Sequence, residues 1–150
     1  MITDGDCREL AQMLDLVDVF DSFPFEVMRA DMCRVMAVYH YGGAYMDLDV
    51  ARLRPLHSWW PPAADIQLGY ETEGAWHSHK AHYCNWIFAA APRHPCMKAV
   101  LQRVASAARA TNFSGRGVLD DYHFVHSVSG PEAFTDGIQR CGAVPQWSRY

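Results

Sequence analysis

The apolar positions set the elements. Leu10, Met13, Leu14 and Val17 recur at helical spacing among acids and Arg8, which predicts a short amphipathic helix over 6–20. Asp21-Ser22-Phe23-Pro24 breaks it. A second helix is predicted from about 24 to 40, with Val27, Cys33, Met36 and Tyr39 on a broad apolar face and Tyr41-Gly42-Gly43 as its stop. Residues 44–50 alternate as a strand does, and 65–70 reads as another strand after a loop marked by Pro55 and Trp59-Trp60-Pro61-Pro62. The apolar run 85–91 has the length of a buried strand. Residues 95–110 form an alanine-rich helix with Pro95 in its first turn, 123–128 a strand, and 131–141 a helix opened by Pro131. Strand–helix alternation implies an α/β fold. No repeat or linker divides the 150 residues, so a single domain is expected.

Composition narrows the function classes. Half the residues are apolar and a fifth charged, an ordinary globular balance. With a formal charge of -4 and no basic stripe, a nucleic-acid partner is not expected. No stretch reaches the ~20 apolar residues that span a bilayer, and Thr3, Asp4 and Asp6 after Met1 do not read as a signal peptide. Cys7, Cys33, Cys84, Cys96 and Cys141 form no CxxC pair, and their odd number leaves at least one thiol unpaired in a monomer. Spacing alone assigns neither a pairing nor a redox compartment.

The chemistry concentrates at Asp47-Leu48-Asp49. On a strand, Tyr45, Asp47 and Asp49 share one face while Met46, Leu48 and Val50 share the apolar one. Two carboxylates side by side repel unless a cation compensates, so this strand end reads as a site for Mn2+ or Mg2+, with Asp49 and Asp47 as ligands. A solvated strand end is the plain alternative. Upstream, Asp31 and Arg34 lie three apart on one helix face, close enough to act as a unit or simply to pair with each other.

The run Arg29-Ala30-Asp31-Met32-Cys33-Arg34, followed by Tyr41-Gly42-Gly43-Ala44-Tyr45-Met46-Asp47-Leu48-Asp49-Val50, resembles the DXD sugar-binding region of glycosyltransferase family 32. That group includes yeast-type initiating α-1,6-mannosyltransferases and lumenal α-1,4-glycosyltransferases. Weaker likeness extends to 2–6, to 85–95 and to Ser129-Gly130-Pro131 before a helix; the clostridial glucosylating toxins are a more distant match. The resemblance implies a minimal GT-A-like (Rossmann-like) fold and transfer of a hexose from a UDP- or GDP-sugar to a hydroxyl acceptor on glycan, lipid or protein, with retention. It makes Asp49 the metal ligand and places Asp47 against ribose, sugar or metal-bound water. Asp31, Arg34, Arg29, Tyr45 and Asn85 become donor-binding candidates, Arg34 also stabilising the leaving diphosphate. A Golgi lumen is the compartment it suggests, although no anchor is written here. Few residues precede the first helix, so the unit that usually cradles the base is expected to be missing or reduced.

Other features offer competing chemistry. Trp76, His77, His79, Lys80, His82 and Cys84 crowd a potential zinc loop, but the spacing matches no closed tetrahedral pattern. Asp120, Asp121, His123 and His126 lack a nucleophile-elbow sequence. A haloacid-dehalogenase-type phosphohydrolase would use Asp47 as nucleophile and Asp49 as general acid, but it wants a long buried apolar strand before the motif. A nucleotide-sugar or glycan binder without turnover is the non-enzymatic alternative.

Overall fold

The computed structural model describes residues 3–51, 53–55, 58, 64–71, 82–113, 122–142 and 146–147. In chain order the elements are α1 (Asp4–Met13), α2 (Val17–Ser22), α3 (Glu26–Tyr41), β1 (Gly43–Met46), β2 (Ile66–Glu71), β3 (His82–Ala90), α4 (Pro95–Ala110), α5 (Tyr122–Val128), α6 (Pro131–Arg140) and β4 (Gln146–Trp147). The strands form one sheet in the order β1-β3-β2-β4. β3 pairs antiparallel with β1 and β2, and β2 runs parallel to β4. The fold is thus a mixture of helices with a small, mainly antiparallel sheet.

α1 starts with a reciprocal cap, in which the Thr3 hydroxyl accepts from Asp6 N–H while the Asp6 carboxylate accepts from Thr3 N–H at 2.8 Å. The single helix expected over 6–20 is instead two, separated at Asp15, whose φ of 58° is left-handed. On one straight helix Leu10 and Val19 would point in opposite directions, about 180° apart. The break lets both enter the core, where they are 2% and 1% exposed.

α3 carries Met28, Met32 and Met36 at four-residue spacing, all fully buried. Gly42 ends it at φ 70°, and a Cβ there would lie 2.6 Å from the Pro92 side chain, so packing against the end of β3 explains this glycine. Across the sheet, Tyr45 of β1 stands opposite Phe88 of β3, and Phe88 packs on Phe134 of α6 with ring centroids 4.9 Å apart. The Arg34 guanidinium lies over the Tyr45 ring, so α3 and α6 cover the same sheet face. α4 packs against both of these helices, and Gly137 of α6 admits Val100 so closely that a Cβ would meet its Cα at 2.5 Å. Two disulfides, Cys7–Cys33 and Cys96–Cys141, tie α1 to α3 and α4 to the end of α6. Cys84 is buried and outside any disulfide.

Two further expectations are corrected. The stretch 123–128 is helical within α5, not a strand. Its valines favour extended structure locally, but helical geometry turns Phe124 toward Phe113 and buries Val128. The strand predicted over 44–50 stops at Met46. Asp47 N–H makes the last cross-strand bond, to the Trp86 carbonyl, and Val50 N–H then closes a turn onto the Asp47 carbonyl at 3.1 Å. Leu48 is 91% exposed, so the apolar anchoring face assigned to Leu48 and Val50 does not form.

Candidate donor site

Asp47 and Asp49 therefore occupy a turn at the end of an edge strand, and strand phase does not align them. Asp47 is half-buried and held from two sides: the Tyr45 hydroxyl donates to its Oδ1 at 2.5 Å, and Arg34 lies 3.4 Å from the same oxygen. Asp49 is exposed, with no hydrogen-bond or ion-pair partner among the described residues. The turn presents one carboxylate already fixed by protein and one facing water.

Behind Asp47 lies a charged cluster built from four elements. Arg34, with a side chain 10% exposed, bridges Asp47 and Asp31 at 3.4 Å each and donates to the Asn85 carbonyl at 3.1 Å. Asp31 is 5% exposed. Its Oδ1 accepts from the Asn85 side-chain amide at 3.2 Å and its Oδ2 from the Ser129 hydroxyl at 3.0 Å. Burial raises the Asp31 pKa above its ordinary value, opposed by the Arg34 charge and by the bonds from Ser129 and Asn85. Tyr45 is pushed up to about 12, first by burial and then by its bond to Asp47, so it acts as a neutral donor. Arg34 Nε is buried without a hydrogen-bond partner, an orphaned cationic donor in the middle of the cluster.

The sequence-derived candidates thus divide. Asp31, Arg34, Tyr45, Asp47 and Asn85 converge, and Asp49 follows Asp47 by two positions in the turn. Arg29 makes no described contact with these five: it donates to the Phe23 carbonyl at 2.9 Å and sits 3.6 Å from Asp4, bracing α3 against α1. Ser129 was not singled out as a site residue, although Ser-Gly-Pro before a helix was its available signal. The zinc-loop residues Trp76, His77, His79 and Lys80, together with Asp120, Asp121 and Trp59-Trp60, lie outside the described residues. His94 caps α4 by accepting from Cys96 N–H at 3.2 Å, the helix-start role its position before Pro95 suggests.

The residues fit a hard divalent cation. Mg2+ and Mn2+ are commonly held by one or two carboxylates, with substrate phosphates and water completing the shell. Asp49 is free to supply one carboxylate, and Oδ2 of Asp47 is not used by Tyr45 or Arg34. No group of three or more His, Cys, Asp or Glu ligands exists among the described residues, so a cation here would depend on substrate oxygens. The phosphohydrolase alternative finds little support, since β1 is a four-residue edge strand and not a long buried one.

Comparison with known proteins finds similarity over this part of the chain. Residues 3–65 match the family model described as the glycosyltransferase sugar-binding region containing the DXD motif. Among curated proteins, the chain is 38% identical over 77 residues to inositol phosphoceramide mannosyltransferase 1 of Schizosaccharomyces pombe, covering 51% of this chain and 22% of that protein. It is 27% identical over 126 residues to the initiation-specific alpha-1,6-mannosyltransferase of the same organism, covering 77% and 32%. To the initiation-specific alpha-1,6-mannosyltransferase of Candida albicans it is 20% identical over 162 aligned positions, covering 92% and 42%. The chain spans less than half the length of each of these relatives. The matched residues 3–65 run from the N-cap of α1 through the Asp47-Leu48-Asp49 turn to the residue before β2, so the similarity to the DXD sugar-binding region includes that turn.

Proposed function

We propose that this chain forms the donor-binding part of a GT-A-like glycosyltransferase that moves a hexose from a nucleotide sugar to a hydroxyl acceptor with retention. The observation that carries the reading is Arg34, a buried guanidinium joining Asp31, Asp47 and Asn85 directly behind the turn that exposes Asp49. The relatives' names point to mannose as the hexose and to a glycan or lipid hydroxyl as acceptor.

In this reading Asp49 and Asp47 hold Mn2+ or Mg2+, which when bound neutralises the diphosphate leaving group. Arg34 adds fixed positive charge beside the same oxygens, preorganised by its two carboxylates so that little reorientation is needed as charge develops. Its orphaned Nε is a donor for a sugar hydroxyl or phosphate oxygen. Asp31 and the Asn85 amide meet sugar hydroxyls from the buried side, and Asp47 accepts from a ribose or sugar hydroxyl. Tyr45 keeps Asp47 in place; its ring already carries the Arg34 guanidinium at 4.9 Å and neighbours the Phe88 ring at 5.7 Å, which limits it as a sugar-stacking platform.

Calorimetric titration of a panel of UDP- and GDP-hexoses, with and without manganese, tests the reading. The expected result is manganese-dependent binding of one donor class that Asp49→Ala abolishes; equal binding by parent and variant would sink the metal-site claim. Following sugar release and transfer for the donor that binds then separates a transferase from a binder without turnover.

A further inference from the structure

The elbow between α5 and α6, Ser129-Gly130-Pro131, is built tightly and points a polar group inward. The N–H groups of Ser129 and Gly130 both bond the Val125 carbonyl, at 3.1 and 2.9 Å. A Cβ at Gly130 would lie 3.0 Å from His126 Cα and 3.2 Å from the Val125 carbonyl oxygen, so the elbow admits only glycine there without shifting. Pro131 starts α6 at once. The Ser129 side chain is thereby held 3% exposed, with its hydroxyl 3.0 Å from Asp31 Oδ2. The same hydroxyl is 3.4 Å from the Val125 carbonyl, but it has one proton, and the shorter contact to a carboxylate is the stronger claim on it.

We propose that Ser129 is a positioning residue for the donor site: its hydroxyl fixes the Asp31 carboxylate, which orients Arg34 toward Asp47, so the α5–α6 elbow is tied to the Asp47-Leu48-Asp49 turn. The relay is Ser129 to Asp31, Asp31 to Arg34, and Arg34 to Asp47, at 3.0, 3.4 and 3.4 Å. Its first link joins residues 98 positions apart, Ser129 and the buried carboxylate of Asp31. Ser129 and Arg34 share Asp31 but make no hydrogen bond with each other, so any coupling between them passes through it. Asn85, from β3, completes the clamp on the other oxygen of Asp31. Held by both oxygens, Asp31 has little freedom to rotate, and Arg34 inherits that rigidity. A site that must meet a diphosphate and a sugar together gains from such a fixed guanidinium.

The inference rests on the donor-site reading, and its test separates the two. Affinity for GDP-mannose and for UDP-glucose with manganese is measured by calorimetry for the parent, Ser129→Ala, Ser129→Thr, Asp31→Asn and the double variant Ser129→Ala/Asp31→Asn. Asp136→Asn, which loosens the ion pair from α4 to α6 without touching Asp31, serves as the control. Ser129→Ala should weaken donor binding about tenfold, the loss expected for one hydrogen bond to a charged group. Ser129→Thr, which keeps the hydroxyl, should stay near the parent, the control should bind as the parent does, and Ser129→Ala should add nothing in the Asp31→Asn background. Parent-like binding by Ser129→Ala, or additive losses in the double variant, would overturn the relay. If the parent binds neither sugar nucleotide, the donor-site reading fails, and the relay is judged by folding alone. Urea midpoints of Ser129→Ala, Arg34→Lys and their combination should then shift by less in the double variant than the two single shifts summed, and strict additivity would overturn it.

Discussion

Asp31 and Asp49 are both aspartates of one candidate site, and their surroundings differ almost completely. Asp31 is buried, clamped at both oxygens and paired with Arg34, whereas Asp49 stands on an exposed turn beside the exposed Leu48. Asp47 lies between these regimes, gripped by Tyr45 and Arg34 on one oxygen. The contrast separates two tasks. Interior charges are costly to desolvate and must be organised by the fold before a ligand arrives, while a surface carboxylate remains hydrated and available to a cation. The interior half of the site is therefore part of folding stability, and the exposed half is nearly independent of it.

Substitutions on the two sides should separate accordingly, and the largest effect on folding falls at Arg34. Arg34→Met leaves Asp31 buried without its cation and should cost about 3–5 kcal/mol in urea denaturation, with donor binding lost as well. A cost below about 1 kcal/mol would mean that Asp31 does not depend on the pair. Next comes the staple behind the cluster: replacing Cys7 and Cys33 by alanine frees a loop with a sequence separation of 26, which chain entropy sets at about 3.5 kcal/mol. The matching change at Cys96 and Cys141, separated by 45, should cost slightly more, about 4 kcal/mol, and paired melts of the two variants check that order.

A smaller effect concerns pH. Because burial raises the Asp31 pKa above 3.8, the folded protein keeps the proton at pH values where the unfolded chain has lost it. The contribution of this group is thus most favourable at low pH and declines as pH rises from about 4 through the raised folded value, opposite to the usual carboxylate trend. Asp31→Asn should flatten that limb in urea midpoints taken across the acidic range, and an unchanged slope would assign it to other groups. The smallest folding effects belong to the turn. Asp49→Ala and Leu48→Asn should leave stability within about 0.5 kcal/mol of the parent. Asp49→Ala should nevertheless abolish manganese-dependent donor binding; a large loss of stability from either change would erase the contrast between buried and exposed carboxylates.

Helix spacing predicted α3, α4 and α6 closely, because each carries a long apolar stripe with a glycine or proline boundary whose effect is local. The residues of the cluster were legible through the family resemblance, which singled out Asp31, Arg34, Tyr45 and Asn85; spacing alone put Asp31 and Arg34 on one helix face, where a simple ion pair was the plainer reading. What failed was phase and direction where tertiary contacts outweigh pattern. Alternation over 44–50 looked like a strand, yet the ladder to β3 gives out at Asp47, and a turn follows. Residues 6–20 looked like one helix, although a straight one cannot bury Leu10 and Val19 together.

Sequence alone thus determined which residues carry the charge and which segments can bury an apolar face, since both follow from residue type and short-range spacing. Only the tertiary structure decided that Ser129 reaches Asp31 across 98 positions, that Arg29 braces α3 against α1, and that Asp49 is left to solvent. Those outcomes depend on how α3, β3 and the α5–α6 elbow pack together, and local spacing holds no record of contacts between segments so far apart.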